Sequence, residues 1–246
     1  MQKLLSYVRR AVEDYHMIDE GDCIAVGLSG GKDSLALLLA LSRLRRFYPK
    51  PFTVKAITLD MGFDNMDFSP LCRFCKEQDI PFILEKTEIK TIVFDIRKES
   101  NPCSLCAMLR RGALQNTALG HGCNNLALGH HKDDVIETYL LSLLYEGRMN
   151  CFAPVTQLDG KDISVIRPLI YTPELHIRSL NKRFTLPVVR STCPSDGVSK
   201  RQEIKNLLWS MEHDNRGVRQ RIFGAIQRLP ISGWERSDIQ AHNKQP

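Results

Sequence analysis

Apolar positions along the chain switch repeatedly between a helical and an extended period. Leu4, Leu5, Val8, Val12 and Tyr15 recur at helical spacing among charged residues, which predicts an amphipathic helix over 4–17. Residues 22–28 form a short apolar run ending in glycine and leucine, the pattern of a buried strand entering a turn. Residues 34–48 are rich in leucine and alanine with basic residues near the end, so a helix follows whose charges suit its dipole. The same reasoning predicts strands over 52–59 and 81–84, a helix over 67–78 between them and a further short segment at 89–94. It continues with a helix over 103–119, a strand over 125–128, a long helix over 133–145 and a weaker strand at 164–167.

Strands alternating with helices imply an α/β fold, a doubly wound parallel sheet with helices on both faces. From Thr172 the pattern changes: helices over 173–184 and 199–214, a short strand at 188–189, a polar turn and a last helix ending at 229. The expected organisation is an α/β domain over 1–171, including the first helix, and a basic C-terminal part over 172–246 packed on it. No repeat or low-complexity tract is present.

Composition narrows this picture. A chain of 246 residues, 43% of them apolar, is long enough for one large α/β domain. The net charge of +6 is concentrated late: between His176 and Pro230 there are 11 Arg and Lys against 4 Asp and Glu, which fits a polyanionic partner. The first twenty residues carry Lys3, Arg9, Arg10, Glu13 and Asp14 and no long apolar run, so no signal peptide or membrane span is expected and the expected location is cytoplasmic. There, eight cysteines are not expected to be a disulfide framework. Two Cys-x-x-Cys pairs, Cys72 with Cys75 and Cys103 with Cys106, point instead to metal or thiol chemistry. Cys23, Cys123 and Cys151 have no partner at ligand spacing and read as core.

Between the first strand and its helix stands Gly27-Leu-Ser-Gly-Gly-Lys-Asp-Ser34. Its glycines let the backbone turn and aim N–H groups at an anion, the helix N-terminus adds its positive end, and Lys32 with the serine hydroxyls completes a phosphate cradle. The spacing is not that of a Walker A loop. Ser29 to Ser34 resembles the PP-loop of the N-type ATP pyrophosphatases, which cleave ATP between its α and β phosphates and transfer AMP to a carbonyl oxygen. The resemblance implies that Ser29, Gly30, Gly31 and Ser34 bind ATP, that Gly30, Gly31 and Ser34 hold the pyrophosphate, that Lys32 neutralises it, and that Asp33 assists Mg²⁺.

A second segment, Leu128-Gly-His-His-Lys-Asp-Asp-Val-Ile-Glu-Thr138, runs from a strand end into a helix and brings Asp133, Asp134 and Glu137 towards the same sheet edge. Such carboxylates suit Mg²⁺, and an acidic first turn also suits the helix dipole. In PP-loop RNA-modifying enzymes a Gly-His-x-x-Asp-Asp segment occupies this place, which implies a metal or catalytic role for Asp133, with Asp134 second.

Cys103-Ser-Leu-Cys106, followed by Arg110-Arg111-Gly112, completes a set that resembles the tRNA 2-thiocytidine synthetase (TtcA) family. The resemblance implies a [4Fe-4S] cluster on Cys103, Cys106 and Cys193 with one iron open, tRNA as partner, and a sulfur donor such as a cysteine desulfurase or sulfide. Three thiolates around four irons suit an enzyme that must bind an extra sulfur. Arg110 and Arg111, a turn beyond Cys106, are expected to meet RNA phosphate or the cluster's charge. The implied activity is an ATP-dependent tRNA sulfurtransferase forming 2-thiocytidine in the anticodon loop.

Alternatives remain at this stage. Cys72, Cys75, Cys103 and Cys106 could make a Cys₄ zinc site, although the gap between the pairs exceeds the roughly 15–20 residues of common arrangements. Another tRNA base is open as substrate, because Cys193 stands alone where many relatives carry Cys-x-x-Cys. A lysidine synthetase shares the loop but has no need of the cysteines, and a non-catalytic zinc-containing RNA-binding module is the rival from another class. The stripe of Leu4, Leu5 and Val8 fits either a homodimer contact or packing on the chain's own sheet.

Overall fold

The computed structural model describes residues 1–98, 102–158, 160, 162–189, 192–193, 200–229 and 231–234. Strands β1 (Cys23–Gly27), β2 (Thr53–Asp60), β3 (Phe82–Lys86), β4 (Asn125–Ala127), β5 (Val155–Gln157) and β6 (Ser164–Ile166) form one sheet in the order β3-β2-β1-β4-β6-β5. All pairings are parallel except β5 with β6. Helices α1 (Gln2–Asp14), α2 (Lys32–Leu44), α3 (Ser69–Glu77), α4 (Pro102–Gly120) and α5 (Lys132–Tyr145) accompany the strands; α6 (Glu174–Phe184), α7 (Lys200–Asp214) and α8 (Val218–Arg228) follow them.

The pleat of β1 shows why both faces are covered. Ile24 and Val26 enter the larger apolar core with α1 and α2, while Ala25 between them enters a smaller one with Ala118 of α4 and Leu126 of β4. Successive side chains of a strand point to opposite faces, so an uninterrupted apolar strand needs a layer on each. Helix α2 is buried from Ser34 to Ser42 and again at Leu44, as its leucine-rich sequence requires. The larger core also takes in Ile177, Ile204, Leu208, Phe223 and Trp234, so the C-terminal helices share it with the sheet.

Strand β1 lies between β2 and β4, where the winding of the sheet reverses. The loops leaving the C-terminal ends of β1 and β4 therefore stand side by side, at the sheet edge where open α/β sheets place their ligands.

Several expectations need correction. The short segment expected at 89–94, left without a type, is a π-helical turn over Thr91–Arg97. Val188 and Val189 are not in a strand; they lie along the phosphate loop, where the Val189 N–H donates to the Gly30 carbonyl at 3.0 Å. The three-residue edge strand β5 has no counterpart among the expected elements. Of the two readings of the α1 stripe, Leu4 and Val8 follow the second and are buried in the chain's own core, with Leu5 half-buried against it. Ser199, most of the polar turn before it, Asn101 and everything after Trp234 lie outside the described residues.

Candidate active site

The phosphate loop is shaped by backbone conformation and close packing. Gly30 has φ +82°, and a Cβ there would stand 2.9 Å from the Cβ of Val189, so glycine is required twice over. Gly31 is the N-cap of α2 and brings no side chain to cap it. The first-turn amides have no partner within the helix, the arrangement that suits an anion. Around them, Ser29 Oγ accepts from the Gly31 N–H at 3.3 Å and lies 3.2 Å from Ser34 Oγ, which donates to the Gly31 carbonyl at 2.9 Å.

Lys32 Nζ lies 2.9 Å from Asp33 Oδ2 and 3.0 Å from Glu174 Oε1. Burial works against the charge on Lys32, but its two carboxylate partners outweigh it and the pKa is raised. Burial likewise opposes ionisation of Glu174, and Lys32 and then Arg178 overcome it, holding the carboxyl at about 2.

The β4–α5 connection crosses directly over the start of α2. A Cβ on Gly129 would stand 3.0 Å from the backbone carbon of Asp33 and from the nitrogen of Ser34. His131, the N-cap of α5, forms a reciprocal cap with Asp134: its N–H donates to Asp134 Oδ2 at 2.9 Å, and its Nδ1 accepts from the Asp134 N–H at 3.4 Å. Its Nε2 lies 3.7 Å from Asp33 Oδ1, linking the two helix starts. His130 points elsewhere, 4.8 Å from the Phe152 ring, and burial followed by the nearby Arg167 pushes it down to about 4.

The C-terminal helices supply the cations for the acidic segment. Asp133 Oδ1 accepts from Arg219 Nη1 at 2.6 Å and its Oδ2 from the Glu174 N–H at 2.8 Å. Arg201 Nη1 lies 3.4 Å from both Asp134 and Glu137, with Lys205 3.9 Å from Glu137. Burial nevertheless raises the Glu137 carboxyl to about 7, the cations only partly opposing it. Sequence reasoning missed Glu174, Arg201 and Arg219. Pro173-Glu174 signals a helix start, and nothing local reveals what such a carboxylate will meet.

The cysteines sort by position. Cys103 and Cys106 lie three residues apart in the first turns of α4, a spacing that turns both thiols to one side of a helix. Cys103 is exposed, Cys106 and Cys193 half-buried. Burial raises the Cys106 thiol; Arg110 opposes this, while Cys193, remote in sequence, and Cys103 add to it. Arg110 is half-buried and Arg111 exposed. Thiols are the donors an iron–sulfur cluster takes, and among the described residues no three His, Cys, Asp or Glu side chains stand close enough together to hold a metal ion. Cys75 is a core residue whose thiol burial pushes up to about 12, and Cys72 is exposed. Cys23 does have a neighbour in space: its Sγ lies 3.0 Å from that of Cys123.

Residues 3–206 match the PP-loop domain family. A tRNA-cytidine(32) 2-sulfurtransferase of Geobacter metallireducens is 39% identical over 231 residues, 93% of this chain and 90% of that protein. One of Pelobacter propionicus is 40% identical over 231 residues, 93% of this chain and 86% of that protein. Among solved structures, the U34-tRNA thiolase NcsA of Methanococcus maripaludis with its [4Fe-4S] cluster superposes with a TM-score of 0.77 at 25% identity, covering 93% of this chain and 78% of that one.

Proposed function

We propose, from the premise that this chain belongs to the PP-loop family and within it to the tRNA-cytidine(32) 2-sulfurtransferases, that it is an ATP-dependent tRNA sulfurtransferase whose substrate base is a cytidine of the anticodon loop. ATP lies at the start of α2, where Ser29, Gly30, Gly31 and Ser34 face its phosphates and Lys32 balances their charge. Asp33 would hold Mg²⁺; Asp133, the other expected ligand, has one oxygen on Arg219 and the other on the Glu174 N–H and would join it only through a lone pair those contacts leave free. The 2-oxo oxygen of the cytidine bonds to the α-phosphorus as the bond from that phosphorus to the bridging oxygen breaks, and pyrophosphate leaves with the electron pair. The oriented amides and Lys32 stabilise the charge gathering on pyrophosphate. Carbon 2 of the base is then electrophilic; sulfide, supplied as such or released from a desulfurase persulfide by a thiol reductant that is oxidised to a disulfide, bonds to it, and AMP departs with the former carbonyl oxygen.

Cys103, Cys106 and Cys193 would hold the [4Fe-4S] cluster, which when bound supplies an iron with an open position for sulfur. Arg110 sits where it can balance thiolate or cluster charge, and exposed Arg111 where it can meet RNA phosphate. The basic C-terminal part attracts the RNA backbone, and the target base must be unstacked to enter. With Leu4 and Val8 buried, a homodimer would rest on other residues, and light scattering reads the assembly state.

What supports this reading most is that the Ser29–Ser34 loop and the acidic segment meet at the start of α2, with Gly129 against the Asp33 and Ser34 backbone and His131 Nε2 3.7 Å from Asp33, in a chain related to tRNA-cytidine(32) 2-sulfurtransferases. The test is nucleoside analysis of tRNA from a strain lacking the protein. Loss of 2-thiocytidine, restored by the wild-type chain and not by Lys32→Ala, is the expected result. Loss of a different thiolated nucleoside would move the assignment to another base; unchanged thiolation would overturn it. Anaerobically reconstituted protein should be brown with about four irons per chain, and one zinc in colourless protein would refute the cluster.

A further inference from the structure

Lysine carries its charge on a flexible four-carbon stem, so an ammonium that must meet a phosphate in one direction needs something to aim it. Asp33 is a poor reference point, because it neighbours Lys32 on the same helix and moves with it. Glu174 belongs to α6, and its Oε1 lies 3.0 Å from Lys32 Nζ with the Glu174 side chain only 16% exposed.

The place of Glu174 is itself fixed from two further elements. Its backbone N–H donates to Asp133 Oδ2 at 2.8 Å, and the other oxygen of Asp133 accepts from Arg219 of α8 at 2.6 Å. On the solvent side, Arg178 one turn along α6 donates to Oε1 through Nε at 3.1 Å and Nη2 at 3.0 Å.

We propose that Glu174 is the positioning residue for Lys32: its carboxylate sets the direction of the loop ammonium, with α5 and α8 holding that carboxylate in place through Asp133 and Arg219. The role rests on the reading of Lys32 as the phosphate-binding cation. It has a distinctive consequence. Deleting the Glu174 charge removes an anion from the neighbourhood of ATP, so ground-state binding is not weakened by charge. Loss of aim falls on the step in which pyrophosphate charge develops, and therefore on kcat.

The experiment measures kcat and KM for ATP in tRNA thiolation, ATP affinity by equilibrium binding, and Tm, for wild type, Glu174→Gln, Glu174→Asp and Lys32→Ala. Glu174→Gln should lower kcat about tenfold or more with KM and ATP affinity unchanged or tighter, and Tm should move little. Glu174→Asp keeps the charge but withdraws it by one methylene, and should also lose kcat. Wild-type kcat in Glu174→Gln, or in Glu174→Asp, would overturn the proposal, as would a kcat loss accompanied by a raised KM and a lowered Tm. If Lys32→Ala retains thiolation, the ATP-site reading itself fails. If Lys32→Ala abolishes thiolation while both Glu174 variants turn over normally, the positioning role alone fails.

Discussion

Arg219 of α8 donates to the Asp133 carboxylate of α5 at 2.6 Å, and both side chains are largely shielded, 27% and 11% exposed. Arg219→Met keeps much of the aliphatic bulk and leaves Asp133 Oδ1 without its cation. The expected cost is about 2 kcal/mol, between the values for surface and fully buried pairs. Urea denaturation of the variant checks this. A loss below about 0.5 kcal/mol would mean that solvent replaces Arg219 fully.

Gly129→Ala should disturb the loop without touching any functional side chain. Its Cβ would press on the backbone of Asp33 and Ser34 at 3.0 Å, and a backbone cannot step aside as a side-chain end can. ATP affinity should fall, with a stability loss of about 1–3 kcal/mol. Gly112→Ala, where an added Cβ meets nothing within 4 Å, is the matched control.

His130 makes stability pH-dependent in a defined window. Its folded pKa is depressed to about 4, from an ordinary value of 6.5, by burial and then by Arg167. The unfolded chain therefore binds the extra proton first. The associated stability is complete above 6.5 and declines as pH falls towards 4, by about 2 kcal/mol at about pH 5 relative to about pH 7.5. His130→Gln should flatten that part of the stability profile measured by urea denaturation at the two pH values. An unchanged slope would assign the acid sensitivity to other groups.

Arg110 and Arg111 should separate in iron retention. Arg110 lowers the pKa of the Cys106 thiol against the effect of burial, whereas Arg111 is exposed. After anaerobic reconstitution, Arg110→Ala should hold less iron than wild type, and Arg111→Ala should hold the wild-type amount while binding tRNA more weakly. Equal iron loss in both variants would remove the distinction.

The parts of this site that are legible in the sequence are those where one short segment does one job. The glycines of 29–34 shape a turn by their own backbone freedom, and Cys103 with Cys106 share a helix face by spacing alone. Glu174, Arg201 and Arg219 are different in kind: each meets its partner because α6, α7 and α8 pack beside α2 and α5, and an acidic first turn or an arginine on a helix looks the same whether it meets solvent or Asp133. The misread elements of the fold have local causes too. Val188 and Val189 have strand-forming side chains, but the Val189 N–H bonds to Gly30 rather than to a sheet edge, and β5 is too short to display an alternating pattern.

The contact between Asp133 and Arg219 also orders events during synthesis. The ribosome releases the phosphate loop and the acidic segment early, when Asp33 and Asp133 exist without Glu174 or Arg219. Until α6 and α8 have emerged and docked, the acidic segment lacks the cation that balances it and Lys32 lacks its outside partner. On the proposal that Glu174 aims Lys32, a chain stopping after β6 would carry Ser29 to Ser34 and Asp133 without the residues that align them.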